Sequence, residues 1–323
     1  MDYKKSIVGN TPMIKINYRY KGQKNSLFAK VEYFNLTGSI KDRAAEYIIK
    51  NAKKRGELKE GMPIIEATSG NMGIALAALG SYYKHPVYIY MPDWVSKERI
   101  EIIKNYGAKV FLISKKEGGF IKCLSEAERK AKEVNGLLTN QFANNDNFLA
   151  HYETTGEEIV NQISEKIGGF VSGVGTGGTL MGVGKKIKEK FNDIKIVAIE
   201  PDKMPILSGG EIIGQHKIEG IGDDFIPDLV DINKIDKIML INDDDAINMA
   251  RKLAKELGLA VGISSGANFL GSIMLTDEIK SNVVTIFADD NKKYLSTELS
   301  KQVDTKNELI SNQVELLNFE EIS

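Results

Sequence analysis

The sequence predicts an α/β protein of two domains, with mostly parallel sheets flanked by helices. Three observations lead there. The chain has 323 residues, and at roughly 150 residues per domain that suggests about two domains. Short β-branched and aromatic runs alternate with longer stretches of helical period, the pattern of βαβ units. Three strand-to-helix junctions are dense in glycine and hydroxyl side chains, as turns at the carboxyl ends of parallel strands often are.

In chain order, strands are expected at 27–33, 63–67, 87–91, 110–114, 170–173, 194–200 and 283–287, where β-branched and aromatic residues cluster. Helices are expected between them at 39–55, 73–83, 96–106, 119–134, 154–167, 179–191 and 244–257, from apolar residues recurring at helical spacing. The tail, 301–323, carries two lysines against five acids, with Ile310, Val314 and Leu317 at helical spacing. It reads either as a terminal helix docked on the body or a partner, or as a frayed end.

Composition removes several function classes. Lysine plus arginine is 43 against 44 for aspartate plus glutamate, so the usual electrostatic argument for nucleic acid or an anionic membrane is missing. The most apolar stretch, 73–79, is far short of the roughly 18 residues of a membrane span. The opening Met1-Asp2-Tyr3-Lys4-Lys5 leads into no long apolar run, so no secretory signal is expected. The lone Cys123 lies in a helix-like stretch and reads as a packed thiol, and His85, His151 and His216 are too scattered for a structural zinc site. A cytoplasmic protein without a metal is the expectation.

The three junctions carry the chemistry. They are Asn35-Leu36-Thr37-Gly38-Ser39-Ile40-Lys41-Asp42-Arg43, Ala67-Thr68-Ser69-Gly70-Asn71-Met72-Gly73 and Gly173-Val174-Gly175-Thr176-Gly177-Gly178-Thr179. Helix N-termini leave N–H groups unsatisfied and glycine lets the backbone close around an anion, so each turn is a potential anion cradle. Each is also explicable singly by the steric needs of a tight turn. The third begins like a dinucleotide fingerprint, with Gly178 at the third glycine position. The acid expected some 20 residues on is missing, however, and the dense Gly-Thr content suits a single phosphate. A P-loop is excluded because Gly184-Lys185 is followed by Lys186. Two cradles with a lysine at such a turn suit a phosphate-bearing aldehyde cofactor and an amino-acid carboxylate. Lys41 could form the Schiff base, or be a solvated first-turn lysine.

With these residues the chain resembles the cysteine synthase (O-acetylserine sulfhydrylase) and cystathionine β-synthase family of pyridoxal-phosphate enzymes. The resemblance runs from Val8-Gly9-Asn10-Thr11-Pro12 to about Tyr294-Leu295-Ser296-Thr297. It includes in family order the Gly-Ser-Ile-Lys-Asp-Arg run, Thr-Ser-Gly-Asn, Gln141-Phe142, Thr154-Thr155-Gly156, Gly-Thr-Gly-Gly-Thr, 216–222 and 262–267. It implies a two-domain fold-type II enzyme like the tryptophan synthase β chain. A smaller mobile domain at 36–145 would bind the substrate carboxylate, and 1–35 plus 146–300 would form the larger domain. It implies that Lys41 holds pyridoxal 5'-phosphate and later transfers protons. Asn71 would bond the ring hydroxyl oxygen, and Gly175, Thr176, Gly177, Gly178 and Thr179 would cradle the phosphate. Ser264 would face the pyridine nitrogen. Thr68, Ser69, Gly70 and Gln141 would bind the substrate, with Met72 and Gly222 beside it. Members are usually cytosolic homodimers.

The sequence departs from the family pattern at four places. Met72 replaces a threonine, Asn145 stands for a proline, and the late strand end reads Phe287-Ala288-Asp289-Asp290. The fourth is the loop Gly220-Ile221-Gly222-Asp223-Asp224-Phe225, where the family has Gly-Ile-Gly-Ala-Gly-Phe. That loop flanks the reacting β-carbon in the family, and here it gains two carboxylates. Bisulfide needs no base, and a carboxylate about 4 Å away would oppose it by roughly 4 kcal/mol at an effective dielectric near 20. Water does need a base. Asp223, or else Asp224, is therefore expected to activate water or an incoming nucleophile; the alternative is that both acids point to solvent. The expected reaction takes L-cysteine, expels sulfide through an aminoacrylate, and adds water to give L-serine, or a thiol. The alternatives are an ordinary cysteine synthase and an inactive binding homologue. No complex with serine acetyltransferase is expected, because the two acids would repel its acidic tail.

Overall fold

The computed structural model describes residues 7–301 and 308–322. Strands β1 (Met13–Tyr20) and β2 (Gln23–Val31) form an antiparallel hairpin. Its two-residue turn, Lys21-Gly22, has both φ angles positive, the twist a tight hairpin requires. Next come α1 (Lys41–Lys54), β3 (Ile64–Ala67), α2 (Asn71–Tyr83), β4 (Val87–Pro92), α3 (Lys97–Asn105), β5 (Lys109–Ile113), α4 (Gly119–Glu133) and β6 (Leu137–Leu138). Helices α5 (Asn145–Ala150) and α6 (Gly156–Gln162) are joined by a π-helical turn over His151–Thr155. The remainder is β7 (Ile167–Gly173), α7 (Gly178–Lys190), β8 (Lys195–Pro201), β9 (Lys237–Ile241), α8 (Asp243–Leu257), α9 (Ile263–Ile279), β10 (Asn282–Phe287) and β11 (Val314–Ile322).

These strands make two sheets. The smaller runs β5-β4-β3-β6 and is parallel throughout. All its strands fall between 64 and 138, inside the stretch expected to form the smaller domain, and α1 packs with α2 in its core through Ala45, Ile48 and Ile49. The larger runs β11-β1-β2-β10-β7-β8-β9, parallel from β2 to β9. Its central strand β10 is buried on both faces from Val283 to Phe287, as a helix-sandwiched parallel strand must be. Among the described residues no helix is long and apolar enough to cross a membrane. Cys123 is on the buried face of α4, and burial pushes its thiol up to about 12.

The tail corrects the expectation. Where described, it is neither a docked helix nor a frayed end but a short 3-10 turn, Ile310–Gln313, leading into an edge strand antiparallel to β1. The buried residues are Val314 and Leu316, two apart, so the period is that of a strand. Residues 302–307 and 323 of that tail lie outside the described part. The helix expected over 154–167 is α6 with the π-helical turn before it, so it runs from His151 and stops at Gln162, and Ile167 already begins β7. Strands β1, β6 and β9 and helices α5 and α9 were not among the expected elements. Helix α9 is buried nearly all round, so it offers no polar face to read.

Candidate active site

The start of α1 is fixed from both sides. The Asp42 carboxylate accepts hydrogen bonds from the Thr37 amide (2.9 Å) and hydroxyl (2.7 Å), closing the turn before the helix. The Ile40 amide donates to the Ala288 carbonyl at the end of β10 over 2.9 Å. Arg43, nearly fully buried, donates to Glu32 from Nε (2.6 Å) and Nη2 (2.8 Å) and to Glu158 from Nη1 (2.6 Å). Lys41 is thereby held in the cleft between the two sheets. Burial lowers its amine below the ordinary lysine range, opposed by the carboxylates of Asp223 and Asp289.

The turn from β7 into α7 lies opposite. A side chain at Gly175 would meet the Gly220 carbonyl oxygen at 2.5 Å, so only glycine lets the two loops approach this closely. Gly177 has φ +84, which favours glycine. The Thr176 hydroxyl accepts from Asn147 Nδ2 (2.9 Å), and Thr179 Oγ1 lies 3.3 Å from His151 Nε2. The turn opens the amino end of a 13-residue helix, with its free N–H groups, onto the cleft.

At the carboxyl end of β3, Thr68 Oγ1 accepts from the Gly70 amide over 3.1 Å. Beneath it Glu66 is buried, accepting from Ala67 N (2.7 Å), Thr139 Oγ1 (2.5 Å) and Gln141 N (3.2 Å). Burial is the larger influence and pushes this carboxyl up to about 7. Glu66 was missed in the sequence, although a lone charge inside the apolar run Ile64–Ala67 is a legible signal. Asn71 Nδ2 donates to Asp289 Oδ2 (2.7 Å), and its buried Oδ1 has no partner.

Every residue expected at the site except Gly178 lines one cleft of about 1210 Å³. Gly178 sits behind it, against Asn147. Met72 is also fully buried and belongs to the core of the smaller sheet. Of the paired acids, Asp223 is half-buried and Asp224 exposed. Burial and the neighbouring Asp224 push the Asp223 carboxyl up to about 6, with Lys41 opposing. Asp290 lies outside the cleft lining and caps a short turn, accepting from the Lys292 amide over 3.1 Å. Asp289, singled out in the sequence as part of a departing strand end, is joined to Tyr294, Arg99 and Glu219 in a connected set whose linkage the sequence does not show.

The residues present suit pyridoxal phosphate: a buried lysine, a glycine cradle that tolerates no side chain, and an orphaned buried amide oxygen. Comparison with known proteins agrees. Residues 5–289 match the family model described as pyridoxal-phosphate dependent enzyme. The cysteine synthase of Staphylococcus aureus (strain Mu50 / ATCC 700699) is 40% identical over 297 residues, covering 91% of this chain and 95% of that protein. The hydrogen sulfide-producing enzyme of Fusobacterium nucleatum is 50% identical with a TM-score of 0.93, over 96% of this chain and 95% of that one. An aspartate-to-asparagine variant of that enzyme has been solved with an α-aminoacrylate intermediate. A cysteine synthase of Entamoeba histolytica is 37% identical with a TM-score of 0.86, over 97% and 95% of the two chains. This chain is therefore an enzyme of the pyridoxal-phosphate-dependent family, within its cysteine synthase group.

Proposed function

We propose that the enzyme releases sulfide from L-cysteine and adds water to the same carbon, giving L-serine. One cysteine and one water become one serine and one hydrogen sulfide. The observation that carries this reading is Asp223: a half-buried carboxylate beside Lys41, on the loop lining the cleft.

Pyridoxal phosphate supplies the electron sink that makes the α-hydrogen acidic and the β-substituent a leaving group. The rest falls to the chain. Thr68, Ser69 and Gln141 hold the substrate carboxylate at the amino end of α2. Ser264, in the first turn of α9, faces the cofactor's ring as a neutral hydroxyl. Asn71 bonds the ring oxygen, and the 175–179 turn cradles the phosphate. The Lys41 amine, whose affinity for a proton burial lowers, takes the proton from Cα and returns it. Asp223 takes a proton from the water that attacks Cβ, a contribution on the order of 10²–10⁴ in rate. The same carboxylate would oppose incoming bisulfide, which favours cysteine consumption over cysteine synthesis. The name of the Fusobacterium relative supports sulfide production. The names of the Staphylococcus and Entamoeba relatives support the second reading, cysteine from O-acetyl-L-serine and sulfide.

The test uses enzyme loaded with pyridoxal phosphate, incubated with L-cysteine alone and, separately, with O-acetyl-L-serine plus sulfide. Sulfide and serine in equal amounts from cysteine, with slow cysteine synthesis, is the expected result. Fast cysteine synthesis with negligible sulfide release overturns it.

A further inference from the structure

The loop carrying Asp223 is tied to the end of β7 at one point and braced within itself at another. The Gly222 amide donates to the Val174 carbonyl over 2.9 Å, and its own carbonyl lies 2.8 Å from His216 Nε2. A further anchor comes from the other side of the cleft. Arg99, in the first turn of α3, is nearly fully buried and pairs through Nη1 with Glu219, four residues before Asp223. Its stem fills the space beside Gly70, where a Cβ would lie 2.2 Å from Arg99 Cδ. Its guanidinium stacks 4.5 Å from the Tyr294 ring. The Tyr294 hydroxyl in turn donates to Asp289 Oδ2 over 2.7 Å, the oxygen that also receives Asn71 Nδ2.

One arginine thus touches the substrate-carboxylate turn, the Asp289 network and the loop of the water-activating acid. A buried guanidinium offers several fixed donors and an aromatic-stacking face at once, which a lysine cannot reproduce. Where the loop would otherwise rest on the Val174 bond and its own internal brace, the ion pair adds a constraint from the opposite wall. We propose that Arg99 is a positioning residue that aims Asp223 at the reacting carbon through Glu219, so that the seated substrate meets a correctly placed base. This rests on the reading of Asp223 given above.

The consequence is a change in product. Cysteine plus water can yield serine and hydrogen sulfide, or pyruvate, ammonia and hydrogen sulfide; the atoms balance in both. The first needs water delivered to Cβ, and the second follows when the three-carbon fragment leaves the site and hydrolyses. Loosening the loop should shift flux from the first to the second, because small misplacements of a reacting group cost up to about a hundredfold.

The experiment compares wild type, Glu219→Gln, Arg99→Lys and the double variant as loaded enzymes, measuring serine, pyruvate and sulfide from L-cysteine. Cofactor occupancy and thermal midpoint are measured on the same samples. The expected result is a serine-to-pyruvate ratio lowered roughly tenfold in each single variant. The KM for cysteine should change by less than about twofold. The double variant should be no worse than the singles, since both break one link. An unchanged ratio in folded, loaded Glu219→Gln overturns the inference, even if Arg99→Lys does not fold, because Glu219 is partly exposed and its amide keeps the shape. A wild type that makes no serine overturns the proposed function and this inference with it. A wild type that makes serine, with variants unchanged, overturns only the inference.

Discussion

The Gly220 carbonyl oxygen lies 2.5 Å from where a β-carbon on Gly175 would sit, so the turn expected to hold the cofactor's phosphate and the loop carrying Asp223 touch backbone to backbone. Backbone cannot swing aside as a side-chain end can. Gly175→Ala should therefore push the two loops apart, at about 1–3 kcal/mol for overpacking of this kind. The expected outcome is a lowered thermal stability of the cofactor-free protein together with cofactor retention weakened roughly ten- to a hundredfold. Equilibrium dialysis of pyridoxal phosphate against both proteins measures it, and equal retention would show that the loops are free to move apart.

Asp223 must be ionised to accept a proton, and its carboxyl is pushed up to about 6. The rate of serine formation should rise with pH through about 6 and level off above it. Asp223→Asn should abolish that limb and slow serine formation on the order of 10²–10⁴. Sulfide should still appear in the first turnover, since its release precedes the addition of water. Removing the like charge in Asp224→Asn should shift the limb to lower pH while leaving the maximal rate nearly intact. A limb unmoved by either substitution would assign it to another group.

Glu66 gives a stability signature. Its carboxyl, raised from 4.5 to about 7 in the fold, ionises first in the unfolded chain. Between those values the unfolded state binds fewer protons than the native state, so this group makes stability fall as pH rises, by about 3 kcal/mol in total. Glu66→Gln gives up an acceptor toward Ala67 or Gln141, so it should be less stable at pH 5. Its loss between pH 5 and 8 should nevertheless be smaller than that of wild type. Urea unfolding at the two pH values checks it. Parallel losses in both proteins would mean that Glu66 is ionised throughout.

What could be read from the chain follows how locally the information is written. Lys41 and the two glycine turns each pack their chemistry into fewer than ten consecutive residues, and the structure brings them to one cleft. Asp223 was visible because a charge stood where the pattern is small and neutral. Arg99 and Glu219 were not, because each alone is an ordinary surface residue type and only the fold joins positions so far apart. Ile310, Val314 and Leu317 suit a helix as well as a strand, and the pairing partner that decides, β1, lies at the other end of the chain.

Arg43 sits two residues from Lys41 and bridges the carboxylates of Glu32 and Glu158, with Lys30 also 2.8 Å from Glu158. Removing one member of a buried ionic network leaves the others uncompensated. Arg43→Met should cost about 3–5 kcal/mol in unfolding free energy, and the loss should persist at high salt because the network is screened from solvent. A marked salt dependence of the difference would place these charges effectively in water.

The edge strand makes the last test. Asp245 receives the amides of Ile310 (3.0 Å) and Ser311 (2.8 Å), and Asn248 Nδ2 donates to Ser311 Oγ over 2.9 Å, so α8 docks the turn before β11 begins. β11 then covers the outer edge of β1 and buries Val314 and Leu316 against the larger core. Ending the chain at Glu308 should uncover a long row of unpaired backbone groups on β1, the kind of edge that pairs with other chains. The truncated enzyme should lose thermal stability and aggregate with concentration, measured by calorimetry and light scattering. Substituting Val314→Asp alone should reproduce part of the stability loss, about 2–4 kcal/mol from burying a charge in place of an apolar side chain. The tail would be dispensable only if the truncated protein stayed soluble and matched the full chain in both measurements.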